Sequence, residues 1–385
     1  MRQVAIIGLG QTPVREHWEK GIRELAANAV LDALEDAGLH RVEALYVGNM
    51  LSGLLAGQEN LGALIAETAG MAGIEAIKVE AACGSAAASF RQALLAVASG
   101  AVDSAVAVGV EKLTEMSGTA TTAGLATAAD SDYEASMGLS FVAINALLMQ
   151  RYMYEFGYSK ADFAPFAVNA HDNAKYNINA MFRYSVSMEQ YTNAKVICDP
   201  INLLDSSPIA DGAAAVVVVP LEHVGRYPGQ AVLIEACEIG TDTISLDNRE
   251  NPLQLKGVQR SAQKALKTSG KSHKDINIFE AHDAFSIMSA LSLEASGFVE
   301  FGHGLKWAAK MNIGPGGDLP MSTFGGLKGR GHPVGATGLY QIVEGATQIR
   351  GTAPSEIQVP DARCAMMQNI GGSGANVTTT ILGKL

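Results

Sequence analysis

One cysteine of this chain, Cys83, has the surroundings of a nucleophile. It lies between Ala82 and Gly84 in a run of very small residues, after a short strand pattern over residues 77–80 and before a long apolar helical pattern. Backbone N–H groups and the dipole at a helix N-terminus lower a cysteine pKa, and the thiolate is the reactive form. We therefore expect Cys83 to be a nucleophile with a lowered pKa. A buried packing thiol is the alternative.

The composition is that of a globular α/β protein with enough chain for two cores. The 385 residues are 48% hydrophobic and 6% aromatic, and they include 41 glycines. Four cysteines without short spacings predict neither a disulfide framework nor a zinc knuckle, and they favour a reducing compartment, the cytoplasm. The formal net charge of -11 argues against a nucleic-acid partner. We expect no secretory leader and no membrane-spanning segment.

Alternating strand and helix patterns in the first half predict a covered α/β sheet that positions Cys83. A Gly8-x-Gly10 pair follows the first strand pattern, but no third glycine opens a helix, so a dinucleotide-binding fingerprint is incomplete. The strand patterns occupy residues 3–8, 42–49, 77–80 and 104–109, and helical patterns cover residues 24–37 and 60–69.

The segment from about residue 115 to residue 205 departs from this alternation. Small polar residues come first, and a series rich in tyrosine and phenylalanine follows. Compact α/β domains join their elements with short connections, so a segment this long is typical of a functional insertion. We expect a lid-like cap here, with substrate-binding residues that the sequence does not single out. A strand pattern over residues 211–219 then resumes the sheet.

The second half repeats the order of the first. The helix end Ala33-Leu34 with Gly38 is matched by Ala265-Leu266 with Gly270, and each is followed by a strand pattern. An apolar helix follows His332 as one follows Cys83. The repeat predicts two halves, residues 1–225 and 226–385, with Cys83 and His332 at equivalent helix N-termini across a pseudo-two-fold axis.

With these motifs the sequence resembles the thiolase superfamily over essentially its whole length. The His282-Asp283-x-Phe285 element is similar to that of the sterol-carrier-protein type and of archaeal and bacterial acetyl-CoA C-acyltransferases. The resemblance implies a five-layer α-β-α-β-α fold of two duplicated halves, a cap over a coenzyme A tunnel, and a homodimer or tetramer. The motifs that carry it are Ala82-Cys83-Gly84-Ser85-Ala86, Asp211-Gly212-Ala213-Ala214, Glu280-Ala281-His282-Asp283-Ala284-Phe285, Gly331-His332-Pro333-Val334-Gly335-Ala336 and Asn369-Ile370-Gly371-Gly372-Ser373-Gly374.

The same resemblance implies an acetyl-CoA C-acyltransferase of lipid metabolism. It would make or thiolyse a 3-oxoacyl-CoA such as acetoacetyl-CoA through an acyl-Cys83 intermediate. His332 is expected to accept the Cys83 proton, and His282 to donate to the thioester or enolate oxygen. The N–H groups of Cys83 and Gly371, in the loop that includes Asn369, would form an oxyanion hole. Coenzyme A and acetyl-CoA are expected as substrates, with no permanently bound cofactor and no metal.

One departure from the family concerns the second cysteine that moves the α-proton of acetyl-CoA. The two positions where relatives keep that cysteine are Asn369 and Ala284 here. Cys364 lies five residues before Asn369, and an odd offset on a strand places it on the opposite face. We therefore expect His282 or His332 to be the base for the carbon acid.

Two other functions stay open at this point. The first is a thiolase-like lyase or condensing enzyme that acts on a larger CoA ester together with a small zinc-ribbon and OB-fold acyl-CoA-binding partner. The second is a non-catalytic acyl-CoA-binding subunit. The presence of both Cys83 and His332 counts against the second.

Overall fold

The computed structural model describes residues 2–385, and its elements alternate as the sequence predicts. The first half begins with β1 (Val4–Gln11), α1 (Ile22–Asp36), β2 (Ala44–Gly48), α2 (Ser52–Leu55), α3 (Leu61–Thr68), β3 (Glu75–Val79), α4 (Ser85–Ser99) and β4 (Ala105–Glu111). The insertion contains α5 (Gly118–Ala126), α6 (Phe141–Phe156), α7 (Ala164–Ala174), α8 (Met188–Thr192), β5 (Val196–Cys198) and β6 (Ile201–Asn202). The remaining elements are β7 (Gly212–Pro220), β8 (Val232–Thr241), α9 (Lys256–Ser269), β9 (Ile278–Glu280), α10 (Ser286–Ala295), α11 (Gly304–Ala308), α12 (Gly326–Gly329), α13 (Thr337–Arg350), β10 (Cys364–Gly371) and β11 (Asn376–Lys384).

The main sheet shows the duplication directly. Its nine strands lie in the order β3-β2-β4-β7-β1-β8-β11-β10-β9. From the junction of β1 with β8 outward, one half runs β1-β7-β4-β2-β3 and the other runs β8-β11-β10-β9. A single bridge from Phe279 to Met321 takes the place of β3 in the second half. The junction itself consists of two residue pairs, Ala5 with Leu233 and Ile6 with Val232.

The helices form three layers around the two half-sheets. Helices α4 and α13 pack on each other and lie between the half-sheets, α1 and α3 cover the outer face of the first half-sheet, and α9 covers that of the second. Strand β7 is buried on both faces: Val216 and Val218 face the central helices, while Val217 and Val219 face α1. The predicted five-layer fold with duplicated halves and a cap insertion is thereby confirmed.

The Gly8-x-Gly10 pair has a packing role in this arrangement. A Cβ atom at Gly8 would lie 2.1 Å from the carbonyl oxygen of Ala33 on α1. Glycine is therefore required where β1 and α1 approach each other closely. This contact explains the pair without a nucleotide.

The cap is mainly helical, and its core is continuous with that of the second half. Tyr152 and Phe163 of the cap are fully buried in one apolar cluster with Phe279 and Leu291 of the second half. Helices α6 and α7 both pack on α10. The cap is thus fixed to the half of the molecule that carries the two histidines. Among the helices of residues 2–385, none combines the length and apolarity that a membrane crossing requires.

Candidate active site

Cys83 lies in a tight turn between β3 and α4. Ala82 adopts a left-handed conformation with φ of 51°, and α4 begins at Ser85, two residues after the cysteine. The Ser85 hydroxyl accepts a hydrogen bond from the Ala81 N–H at 2.9 Å and donates to the Ala82 carbonyl at 2.6 Å. These contacts hold the turn that presents the thiol, because a non-glycine residue at positive φ needs compensation from its surroundings.

The predicted nucleophile and both predicted histidines meet in one cavity of about 270 Å³. Ala284, Gly372 and Ser373 also line it, whereas Asn369 and Gly371 do not. The apolar part of its wall consists of Leu113, Leu125, Phe141, Val142, Ile209, Phe285, Met288 and Val334. Helices α5 and α6 of the cap and several loops of the core therefore contribute to a single site.

His282 follows β9 and is buried as a neutral side chain. Its Nδ1 lies 3.2 Å from the Ile370 N–H nitrogen and 3.2 Å from the Asn369 amide nitrogen. A backbone N–H only donates, so Nδ1 is the acceptor and the ring proton is on Nε2. Burial lowers the pKa of His282 to about 3. The nitrogen left for the cavity is therefore a neutral N–H donor.

His332 lies five residues before α13, and its ring stands perpendicular to that of His282 with 5.1 Å between their centroids. Its Nδ1 is 2.7 Å from the Thr337 hydroxyl, which also lies 3.5 Å from the Pro333 carbonyl. That carbonyl accepts only, so the hydroxyl donates to it and accepts from Nδ1–H. Nε2 of His332 then has a free lone pair. Burial, and then the nearby His282 and Arg330, lower the pKa of His332.

The expectation of a lowered pKa at Cys83 is wrong for this arrangement. Cys83 is partly exposed, yet the protein packed around its thiol raises the pKa to about 12, and the charge of Glu111 acts in the same direction. The backbone N–H groups of Gly372 and of Cys83 itself oppose the shift and lower the thiol pKa. Desolvation outweighs the helix terminus, so the site at rest contains a neutral thiol and two neutral imidazoles.

Glu111, at the end of β4, is a site residue that the sequence reasoning missed. Its buried carboxyl accepts from the Asn49 amide at 2.9 Å and from the N–H groups of Met50 at 3.0 Å, Leu51 at 3.1 Å and Gly335 at 3.0 Å. Burial raises the pKa of Glu111 to about 7. The carboxyl ties a first-half loop to the loop of His332. The available signal was a glutamate that ends an otherwise apolar strand.

A buried ion pair positions the residues that follow His282. The Lys328 ammonium lies 2.9 Å from the Asp283 carboxylate, 3.0 Å from the Asp283 carbonyl and 3.1 Å from the Ser289 hydroxyl. Both charged side chains are buried, and breaking such a pair by removing one partner typically costs about 3–5 kcal/mol. The pair therefore fixes the loop of His282 to the loop that leads to His332.

The remaining predicted residues lie around the cavity or away from it. Gly372 lines the cavity, whereas the predicted Gly371 packs against Ala81 beside it. The Asn369 side-chain amide contacts Nδ1 of His282, the ring nitrogen that does not serve the cavity. Cys364 is buried at the other end of β10, where it pairs with Gly383 and does not line the cavity. No cluster of His, Cys, Asp and Glu suited to a metal ion occurs within residues 2–385.

The fold and the site together define an α/β protein that brings a cysteine of its first half and two histidines of its second half into one cavity. Residues 4–222 match the family model "Thiolase, N-terminal domain", and residues 239–384 match "Thiolase C-terminal domain-like". The chain therefore belongs to the thiolase family, and the resemblance given by its motifs is confirmed.

Individual relatives agree with this assignment. The chain is 39% identical to an acetyl-CoA acetyltransferase of Methanothermobacter thermautotrophicus, with 100% of both chains covered. It is 34% identical to the benzoylsuccinyl-CoA thiolase subunit BbsB of Thauera aromatica, with 96% of this chain and 95% of the relative covered. Among solved structures, the Ltp2-ChsH2(DUF35) aldolase superposes with a TM-score of 0.86 at 26% identity, covering 99% of this chain and 98% of the other.

Proposed function

We propose that this protein is an acetyl-CoA C-acyltransferase that condenses acyl-CoA thioesters and thiolyses 3-oxoacyl-CoA through an acyl-Cys83 intermediate. The observation that carries the proposal is the meeting of Cys83 with two neutral histidines of opposite function in one cavity. His332 offers a lone pair, and His282 offers an N–H. A thiol, a base and an oxyanion donor are the three groups that acyl transfer requires.

In the acylation step the Cys83 proton passes to Nε2 of His332 as the sulfur attacks the thioester carbon. A raised thiol pKa and lowered histidine pKa values disfavour a separate thiolate, so proton transfer and attack are coupled. The Nε2–H of His282 and the N–H of Gly372 are the donors available to the developing oxyanion. The carbonyl then reforms, the carbon–sulfur bond to coenzyme A breaks, and the departing thiolate takes the proton from His332.

In the condensation step a base removes the α-proton of the acceptor acetyl-CoA. Neither Asn369 nor Ala284 can do so, and Cys364 lies outside the cavity. We assign this proton to His332, which has lost its first proton with the departing coenzyme A. The neutral Nε2–H of His282 stabilises the enolate oxygen. The enolate carbon attacks the acyl carbon, and the Cys83 sulfur leaves and regains the proton.

Intact-protein mass spectrometry after mixing with acetyl-CoA tests the proposal. One acetyl group is expected on wild-type protein, at Cys83, and none on the Cys83→Ala variant, which should also lose at least about a thousandfold in turnover. Cys364→Ser is the matched control, since that thiol is buried away from the cavity, and it should keep both labelling and turnover. Labelling at Cys364, or turnover without Cys83, contradicts the proposal.

A lyase acting on a larger CoA ester is the second candidate. It is favoured by the structural likeness to the Ltp2-ChsH2(DUF35) aldolase and by the absence of a second cysteine at Asn369 and Ala284. Under this second candidate function, the protein acts together with a small zinc-ribbon and OB-fold acyl-CoA-binding partner. The same mass measurement separates the two, because cleavage of a β-hydroxyacyl-CoA to an aldehyde or ketone and a shorter acyl-CoA leaves no acyl group on Cys83.

The proposed function includes the cap as the binding surface for coenzyme A. The cap contributes Phe141, Val142 and Asn145 to the cavity, and its core is continuous with that of the second half. Saturating coenzyme A should slow hydrogen exchange of backbone amides between residues 115 and 205. Protection confined to other segments would contradict this assignment.

The proposal also includes a homodimer in the cytoplasm, with a tetramer as the alternative, acting in lipid metabolism. Strand β3 is the free edge of the main sheet, and its Ile77 is 48% exposed. An unpaired edge strand with an exposed apolar side chain favours pairing with a second copy. All four cysteines are free thiols, as expected in a reducing compartment. Ile77→Lys should shift the sedimentation coefficient toward that of the monomer.

A further inference from the structure

Helix α13 presents one polar face to the loops that carry both histidines. Thr337 accepts from Nδ1 of His332 at 2.7 Å, and the Gln341 side-chain nitrogen donates to the Ala281 carbonyl, directly before His282, at 2.9 Å. Residues three and four apart share a helix face, and four buried side chains of α13 are spaced in this way: Thr337, Tyr340, Gln341 and Glu344. The face that contacts the histidine loops therefore extends two turns along α13.

Arg330, two residues before His332, lies along the rest of this face. Its side chain is fully buried, with Nη1 2.7 Å from Oε2 of Glu344 and the guanidinium carbon 5.0 Å from the centre of the Tyr340 ring. Tyr340 and Glu344 lie one and two turns beyond Thr337 on α13. The segment from Arg330 to His332 is therefore held on the same helix face at both of its ends.

The residue between these two ends, Gly331, does not fix the backbone by itself. It has φ of 110°, and a Cβ atom there would lie 2.6 Å from Cγ1 of Val14, so glycine is required. Because glycine permits a wide range of backbone angles, the position of His332 depends on the contacts on either side of Gly331. Thr337 provides the contact on one side, and Arg330 provides it on the other.

Stability does not account for the buried pair of Arg330 and Glu344. Nη2 of the arginine and Oε1 of the glutamate have no hydrogen-bond partner. Replacement of a buried ion pair by apolar residues often leaves the free energy of unfolding unchanged or raises it. The pair is better explained by the position and the charge that it gives to its neighbours.

We infer that Arg330 is a positioning residue for His332, because it holds the loop of this histidine on the α13 face that also holds the histidine ring. The inference rests on the proposed function, in which His332 accepts the Cys83 proton. Proton transfer needs the base within hydrogen-bond reach, and a displacement of about 1 Å slows such a step by up to about a hundredfold.

The guanidinium charge gives Arg330 a second measurable effect. Burial is the largest cause of the lowered pKa of His282 and of His332, and the Arg330 charge acts in the same direction. A protonated His332 cannot accept the Cys83 proton, so without this charge acylation should fail at a higher pH. The other titratable and charged groups on the elements around His332 are unchanged in the test: Cys83, Glu111, Glu280, His282, Tyr340 and the pairs Lys328–Asp283 and Lys112–Asp211.

The test compares Glu344→Gln with Arg330→Met/Glu344→Gln, so that neither protein keeps an unpaired buried carboxylate. The single-turnover rate of Cys83 acetylation is followed by intact mass over a range of pH. The protonation of the His332 ring is followed separately by nitrogen NMR, with His332→Gln to assign the signals. Loss of Arg330 should slow acetylation by roughly ten- to a hundredfold at a pH where His332 is neutral in both proteins. It should also move the His332 titration to higher pH by about one unit.

Two further variants separate position, charge and general effects on α13. Arg330→Lys keeps the charge without the planar group that contacts Tyr340, so it should keep the His332 titration of the wild type and recover only part of the rate. Arg350→Met is the matched control, since Arg350 ends the same helix and pairs with Asp36 at 2.7 Å away from the cavity. It should keep both the rate and the titration of the wild type.

Three results would overturn the inference. Equal rates and titrations with and without Arg330 would show that its side chain only fills space. A rate that recovers in full at high pH would show that Arg330 acts by its charge and not by position. Equal losses in Arg350→Met would assign the effect to the stability of α13.

Two outcomes keep the test decisive. If Arg330→Met/Glu344→Gln does not fold, Arg330→Lys decides alone, and a rate equal to that of the wild type would contradict the inference. Failure of the wild-type protein to acetylate would remove the proposed function, whereas a shifted His332 titration would still show that Arg330 acts on this histidine.

Discussion

The two halves of the molecule share one topology but carry different chemistry at matching places. In the first half a full strand, β3, precedes Cys83, and α4 begins two residues after it. In the second half the corresponding strand is reduced to the bridge at Met321, and a short 3-10 turn separates His332 from α13. The layers are alike, and the loops that leave them differ. A duplicated scaffold thus brings Cys83 and His332 into one cavity from matching places, and only the connections differ.

The electrostatic surroundings of the two halves are also complementary. On the nucleophile side, burial and the Glu111 carboxyl raise the pKa of Cys83. On the histidine side, burial and the Arg330 guanidinium lower the pKa values of His282 and His332. Both effects favour neutral groups. The comparison indicates a site that separates charge only when a thioester is present to receive it.

Replacement of the base should produce the largest effect. His332→Ala removes the acceptor of the Cys83 proton, and because the thiol pKa is high, water at neutral pH is a poor substitute. We expect the single-turnover rate of Cys83 acetylation to fall by about a hundred- to ten-thousandfold. His40→Ala is the control, since His40 is exposed, and it should acetylate at the wild-type rate. Equal rates for all three proteins would remove His332 from the acylation step.

Replacement of the donor should separate the two chemical steps. His282→Ala removes the Nε2–H that serves the enolate oxygen, whereas the Gly372 N–H remains available during acylation. We expect condensation to fall about a hundredfold and acetylation of Cys83 by a smaller factor, measured on the same sample in single-turnover assays. If acetylation falls as far as condensation, His282 is equally important in both steps, and the Gly372 N–H does not compensate for its loss during acylation.

Much of this comparison could be predicted from the sequence. Cys83, His282 and His332 each lie beside an element whose pattern is plain, and the repeat of those patterns implies that the halves face each other. Local signals were sufficient because each residue is fixed by the strand or helix next to it. The length of the insertion likewise predicted a cap.

The errors arose where distant segments meet. The Glu111 carboxyl binds N–H groups of two loops that are distant from it in the sequence and meet at the end of β4 only in the fold. No local sequence pattern indicates these contacts. The Cys83 pKa was misjudged because a helix terminus is visible in the sequence, whereas the packing that desolvates the thiol comes from both halves.

Replacement of Glu111 by a neutral residue tests whether its charge contributes to the raised pKa of Cys83. Glu111→Gln removes a negative charge near the thiol, so the Cys83 pKa should fall by about one unit, as read from the pH profile of alkylation by iodoacetamide. Because the pKa of Glu111 is about 7, its carboxyl is charged above that pH and neutral below it. The gain in reactivity over wild type should therefore disappear as the pH falls through 7.

The matched control for that profile is Glu80→Gln. Glu80 raises the Cys83 pKa less than Glu111 does, and it is exposed to solvent, where its charge is screened. Its profile should differ little from that of the wild type. A profile for Glu111→Gln that runs parallel to wild type at every pH would show that the carboxyl acts by holding the loops and not by its charge.

The smallest effect is expected at Thr337, which positions His332 without touching the reacting atoms. Its hydroxyl accepts from Nδ1–H at 2.7 Å, and this contact leaves the lone pair of His332 on Nε2. Thr337→Val keeps the shape but removes the acceptor, so part of the His332 population should carry its proton on Nε2, and Cys83 acetylation should slow by roughly three- to tenfold. Thr337→Ser restores the hydroxyl and should recover most of the rate. Nitrogen NMR shifts of His332 report the tautomer directly, and a reduced rate with an unchanged tautomer would mean that Thr337 acts only through packing.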